Sequence, residues 1–258
     1  MQFKFRTFIR LFFLSLLLVV SACNIPRDNP LDPKNPDSKQ AQKVLIQAFV
    51  NTENNTDYNE YMIQALHQLK NEYDGQLIIA EHHRNTPGAE TPYHFVENEL
   101  LYQTYLSGFE NPIKGVPDVF INGIDARVQG ASSVATALLR LQEAVSNEVK
   151  QDCHFLVDID YESSGSGIKP VVTLARLGGS GISSILIKCM LVSYINADFQ
   201  AVVTDQAQSR LIDHMDHGES EVVELPQLNV NTSYANSLVV YVTDQSEQRV
   251  YQSESIQL

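Results

Sequence analysis

The densest cluster of ligand-type side chains in the sequence is Asp213-His214-Met215-Asp216-His217-Gly218-Glu219. Residues three apart share one face of a helix. His214 and His217, completed by Asp213, Asp216 or Glu219, would then offer a zinc- or copper-type ligand set. The pattern of an acid between two histidines four apart, which marks a helical zinc site, is absent, and a polar loop between strands accounts for the same residues. His82, His83 and His94 with Glu81 form a second set. Neighbouring residues on a strand point to opposite faces, so His82 and His83 are poorly placed to hold one ion, and exposed histidines at a strand end are the expectation. Of the three cysteines, Cys23 belongs to the N-terminal segment treated below. Cys153 and Cys189 remain as an even pair, for which a disulfide is allowed in an oxidising compartment and two small buried thiols are the alternative. These residues admit one class of function, a thiol–disulfide oxidoreductase or a metal-dependent enzyme. Other nucleophile motifs are missing. Gly165-Ser166-Gly167 lacks the strand–turn–helix setting of a hydrolase elbow, and Gly178-Gly179-Ser180-Gly181 lacks the lysine of a phosphate loop. Asp158 and Asp160 share a strand face and read as solvent-facing acids.

The elements that must position these residues fall into two groups. Residues 44–50 are a mostly apolar run, the pattern of a central strand. Helical spacing follows over 58–73, with Met62, Leu66, Leu69 and Tyr73 on one face and Asp57 as the expected N-cap. Residues 77–81 read as a strand and 96–106 as a helix carrying Tyr102 and Tyr105. A strand over 118–121, the two-residue hairpin signal Asn122-Gly123 and a partner strand over 126–129 come next. Ser132 or Ser133 caps a last helix whose Val134, Leu138, Leu141 and Val145 share a face. The order is β-α-β-α-β-β-α, and a helix between the first two strands favours parallel pairing. Beyond residue 151 the pattern changes to about seven short strands with Gly-rich turns, which suggests an antiparallel sandwich; only 206–215 hints at a helix.

The N-terminus supplies an address. Lys4, Arg6 and Arg10 precede an apolar run over 11–20, too short for a comfortable span of about 20 residues. It ends at Val20-Ser21-Ala22-Cys23, which resembles the bacterial lipobox. In that reading residues 1–22 are a lipoprotein signal peptide and Cys23 is the acylated first residue; an ordinary signal cut nearby is the alternative. Asn24, rather than Asp, follows Cys23, which points to the outer membrane. Residues 23–42, with Asn29-Pro30, Asp32-Pro33 and Asn35-Pro36, read as an extended tether. Removing residues 1–22 takes away three positive charges and no acids, so the net charge moves from −13 to −16. A surface that acidic repels phosphate backbones, which excludes nucleic acid as a partner.

Val44-Leu45-Ile46-Gln47-Ala48-Phe49, Gly115-Val116-Pro117 with Phe120-Ile121-Asn122-Gly123, and residues 239–257 resemble the twenty-eight-kilodalton outer-membrane-protein family of lipoproteins. The resemblance implies a fold of α/β plus all-β type. A thioredoxin-like domain over 43–150 would be followed by an immunoglobulin-like antiparallel β-sandwich over 151–258. It implies a cis bond before Pro117, with Val116 offering its backbone to an extended peptide. Many members carry Cys-x-x-Cys about where Asn54 and Asp57 lie. Neither an amide nor a carboxylate attacks a disulfide or resolves a mixed one. The expectation is therefore a redox-inactive binding module in the cell envelope. It would need no cofactor, would be held to the membrane by its lipid anchor, and would take a protein or peptide partner.

Overall fold

A computed structural model describes residues 29, 32–35, 37–54, 56–195 and 200–258. The segment over 20–23 that resembles a lipobox, with Cys23, lies outside them. The α/β part of the chain runs β1 (Gln40–Ala41), β2 (Val44–Val50), α1 (Asp57–Glu72), β3 (Leu77–His83), α2 (Val96–Leu106), β4 (Asp118–Ile121), β5 (Ala126–Gln129) and α3 (Val134–Glu148). The β part runs β6 (Asp152–Cys153), β7 (Phe155–Ser164), β8 (Gly167–Arg176), β9 (Ile182–Tyr194), β10 (Ala201–Gln208), β11 (Ile212–Met215), β12 (Ser220–Glu224), β13 (Leu228–Asn229), β14 (Ala235–Asp244) and β15 (Val250–Gln257). No helix of the described residues is long and apolar enough to cross a membrane.

β2 is buried along its whole length because both of its faces are covered. Val44, Ile46, Ala48 and Val50 face one core, shared with Met62, Leu66 and Leu69 of α1 and Ala137, Leu141 and Val145 of α3. On the opposite face Phe49 packs with Phe120 under Leu101, Tyr102 and Tyr105 of α2. β2 and β3 are parallel, and β4 runs antiparallel to β2 with Phe49 opposite Asp118. The chain leaving β2 and the chain entering β4 therefore lie at the same end of the sheet.

The two halves do not separate at residue 150. One nine-stranded sheet runs β15-β14-β9-β10-β3-β2-β4-β5, with β11 beside β9. β10 meets β3 in parallel at Val202 and Glu81, and Glu81 Oε1 accepts the Ala201 N–H at 3.1 Å. A second sheet of β7, β8, β12 and β13 closes the sandwich. Ile187, Cys189, Leu191, Leu238 and Val240 fill the space between the sheets, against Phe155, Val172 and Leu174. The other face of β9 and β14 presents Met190, Val192, Val239 and Tyr241 to Leu45, Ile78 and Ala80 of the α/β unit. Each such side chain contributes about 1.5–3 kcal/mol by leaving water, so the two units stabilise one another.

Several expectations are corrected. The end of the tether is folded, not extended: β1 pairs with β6, and buried Ser38 accepts the Gly178 N–H through both its carbonyl and its hydroxyl oxygen. Thr56, not Asp57, is the N-cap of α1, and it caps through no side-chain bond. Ser133 caps α3 and accepts the Thr136 N–H at 3.2 Å. Ile121 pairs with Ala126, so the β4–β5 connection has four residues, not two. Residues 206–215 form two strand segments, 206–208 and 212–215, rather than a helix, because β10 and β11 both pair with β9.

Candidate functional site

The Val116–Pro117 bond at the entrance to β4 is cis. The loop before it is held by side chains from α2 and β5, and all of them converge on Asp118, which is fully buried. Arg127 Nε and Nη2 donate to the two Asp118 carboxylate oxygens at 2.9 and 2.6 Å, the forked geometry that suits guanidinium and carboxylate. The Tyr102 hydroxyl donates to Asp118 Oδ2 at 2.9 Å and accepts the Gly115 N–H at 3.0 Å. Arg127 Nη2 and Gln129 Nε2 both donate to the Ile113 carbonyl, at 2.7 and 2.9 Å. Arg84 lies 3.5 Å above the Tyr102 ring and pairs with Glu99. Burial pushes the Asp118 carboxyl up, and the Arg127 hydrogen bonds offset part of that rise. This clamp fixes residues 113–117 at one end of the sheet. Val116 is partly exposed, and its N–H and C=O take no partner among the described residues.

Asn54 and Asp57 emerge at the same sheet end, after β2. Asp57 is exposed and its carboxylate accepts the Tyr61 hydroxyl at 3.2 Å. Asn54 takes part in the turn, donating to the Asn51 carbonyl at 3.3 Å. Among the described residues no hydrogen bond joins either one to Val116. The loop is instead organised by buried Asn51, whose Nδ2 donates to Thr86 Oγ1 and the Ala89 carbonyl at 3.0 and 2.9 Å.

Cys153 and Cys189 are free thiols, not a disulfide. Both sit in the sandwich core, where burial pushes Cys153 up to about 11 and Cys189 to about 12. A thiol needs its thiolate to attack, so neither is poised for exchange near neutral pH.

The histidine clusters do not converge either. His214 lies on strand β11, so it and His217 share no helical face. Its Nδ1 bonds Ser183 Oγ at 2.7 Å and its Nε2 bonds Asp216 Oδ1 at 3.0 Å, which leaves no ring nitrogen for an ion. Asp213 and His217 are exposed. Among the described residues no three His, Cys, Asp or Glu side chains gather as a metal site would require. His82 and His83 sit on opposite faces of β3 and are fully buried, not exposed at a strand end, because both faces of that strand are covered. His83 bonds Thr91 Oγ1 at 3.2 Å and lies 3.8 Å from Glu81. His82 is buried in a chain of amides. Tyr105 donates to Gln47 Oε1, Gln47 Nε2 donates to His82 Nε2 at 3.1 Å, and His82 Nδ1 donates to Asn98 Oδ1 at 2.9 Å. That order requires the neutral ring with its proton on Nδ1, in keeping with burial pushing its pKa down to about 4.

The sequence reading missed the clamp of Tyr102, Asp118 and Arg127. Its one local signal is the placement of polar Asp118 and Arg127 in strands of a buried hairpin, where each needs a partner.

No protein-family model matches the chain, and no curated protein matches it. Among solved structures, HBP35 of Porphyromonas gingivalis superposes with a TM-score of 0.60 at 10% identity, over 84% of this chain and 76% of that one. A structural-genomics protein of Agrobacterium tumefaciens gives a TM-score of 0.54 at 16% identity, over 84% of this chain and 95% of that one. Each match spans more of the chain than either unit contains, and at these identities the likeness is one of fold.

Proposed function

We propose that this chain is a redox-inactive, thioredoxin-like lipoprotein of the twenty-eight-kilodalton outer-membrane-protein type. It would be anchored through Cys23 in the cell envelope and bind extended peptide at its pre-proline loop. The observation that carries the reading is the unpartnered main chain of partly exposed Val116, on a loop immobilised by Tyr102, Arg127 and Gln129. A strand that adds to such an edge gains main-chain hydrogen bonds without ordering the receptor first. Asn54 and Asp57 supply no thiol, and both core cysteines are protonated and buried, which weighs against the thiol-oxidoreductase alternative. The bonded nitrogens of His214 weigh likewise against the metal-dependent one.

The test is binding of the chain from residue 29 onward to an array of extended peptides. Val116→Pro removes the donor N–H, and should abolish capture while the melting curve is retained. Turnover of a model disulfide that Cys153→Ser or Cys189→Ser abolishes would overturn the non-catalytic reading. Intact mass of the membrane-extracted protein tests the anchor; an unacylated chain cut elsewhere would overturn it.

A further inference from the structure

A cleft of about 500 Å³ lies at the seam between the α/β unit and the sandwich, lined by residues of both. It is separate from the pre-proline loop. Its volume falls in the range of small-molecule sites, which favour such seams.

The sandwich wall carries donors with spare capacity, beside Asp152, whose carboxylate is paired with Lys39 at 2.6 Å. Arg176 is only 8% exposed. Its Nε and Nη2 donate to the Ser180 carbonyl at 3.2 and 2.9 Å, and its Nη1 to the His154 carbonyl at 3.1 Å. Three of its five N–H groups are thus used, all on neutral carbonyls, and no carboxylate pairs with it among the described residues. Arg249 lies 5.6 Å over the Tyr251 ring, and its guanidinium makes no hydrogen bond among the described residues. The Tyr251 hydroxyl is also without a partner there. Arg176 lies 4.8 Å over the Phe155 ring, which packs 5.9 Å from the Tyr251 ring, so the two guanidinium groups flank the Tyr251–Phe155 pair.

The α/β wall is anionic. Asp125, in the β4–β5 connection, accepts no side-chain hydrogen bond among the described residues. Burial pushes its carboxyl up, Arg249 pulls it down and Glu148 pushes it up again. Glu148, at the end of α3, accepts Asn122 Nδ2 through Oε2 at 3.0 Å, and its Oε1 has no hydrogen bond among the described residues. Cations and carboxylates therefore face one cleft within electrostatic reach, yet no ion pair closes it among the described residues. Asp125 and Arg249 are exposed at the rim of the cleft, Glu148 is partly buried and Arg176 is buried, so a ligand carrying both signs would be complementary to both walls. A multiply charged anion would meet Asp125 and Glu148.

We propose that this cleft binds a short peptide by its free ends, the carboxylate against Arg249, Arg176 and Tyr251 and the ammonium against Asp125 and Glu148. The partly exposed ring of Tyr251, backed by the buried ring of Phe155, lines the same cleft and would take the body of the ligand. Recognition is of the two termini and not of particular side chains, so trialanine is the probe.

Titration calorimetry of the chain at low ionic strength should detect trialanine at millimolar concentration. N-acetyl-trialanine and trialanine amide, each lacking one charge, should bind at least about tenfold more weakly. Arg249→Ala and Asp125→Asn, at side chains that hydrogen-bond nothing else, should each weaken trialanine to a similar degree without shifting the melting curve. Absence of binding, equal binding of the capped peptides, or binding insensitive to Arg249→Ala would each overturn the assignment. The last of these would place the peptide elsewhere on the molecule.

Discussion

Gly123 of the α/β unit bridges Arg249 of the sandwich, backbone against backbone. The Ile124 N–H donates to the Gln248 carbonyl at 2.8 Å and the Val250 N–H to the Asn122 carbonyl at 3.1 Å, so the β4–β5 connection is stitched to the β14–β15 hairpin. Buried Asn122 extends the stitch inward, accepting the Leu45 N–H at 3.0 Å. A Cβ on Gly123 would lie 2.0 Å from the Gln248 carbonyl oxygen, and the residue's φ is +78°. Gly123→Ala must therefore move backbone as well as adopt a disfavoured conformation. We expect it to cost about 2–4 kcal/mol, read as a lower urea midpoint. An unchanged midpoint would show that the seam does not limit stability.

His82 makes stability depend on pH. Its folded pKa of about 4 lies below the ordinary value of 6.5, so between those values the unfolded chain binds the extra proton. The contribution is fully present above about pH 6.5, falls away as pH drops toward 4 and is constant below. The loss amounts to about 3 kcal/mol. Denaturant titrations at pH 7, 5 and 4 check it. His82→Gln should flatten the profile across that window.

Cys153 and Cys189 should resist thiol reagents in the folded protein at pH 8, and both should react once it is unfolded. Their folded pKa values of about 11 and 12 leave at most about one thiol in a thousand ionised at that pH. Intact mass with and without reductant should be the same for the chain from residue 29, since no disulfide is present to open.

Asp118→Ala strands the Arg127 guanidinium and the Tyr102 hydroxyl. We expect a loss of about 3–5 kcal/mol, the cost of breaking a buried pair from one side. Tyr102→Phe should cost less, about 1–2 kcal/mol, and should speed amide exchange at Gly115, whose N–H it leaves without an acceptor. Hydrogen exchange at Gly115 separates a loosened loop from general destabilisation, because the β2 amides should stay protected in Tyr102→Phe.

Much of the α/β unit is legible in the chain. The strands at Val44–Val50, Asp118–Ile121 and Ala126–Gln129 and the helix at Val96–Leu106 lie where the pattern puts them, because each is written in local periodicity. β9 is harder to read. Its inward residues serve the sandwich and its outward ones serve the α/β unit, so the alternation that would mark a half-buried strand is erased. Asn122-Gly123 is a turn in sequence, but its φ values and close approach answer to Gln248 and Arg249, more than a hundred residues away. The histidines illustrate the same limit. Residue type and spacing at His214 and His217 are those of a ligand pair, and only the strand pairing of His214 with Ser183 shows the nitrogens already bonded.

By itself the sequence determined the order of elements in the α/β unit, the absence of thiols at positions 54 and 57 and the acidic charge, since all of these are properties of neighbours along the chain. Tertiary structure alone decided that one sheet crosses both units, that Cys153 and Cys189 stay apart as protonated thiols, and that Asp118 holds the pre-proline loop. It also brought Arg176 and Arg249 to face Asp125 and Glu148. The reason is common to all four. Burial and electrostatic pairing depend on distances between residues remote in sequence, and these are set only when the two units pack.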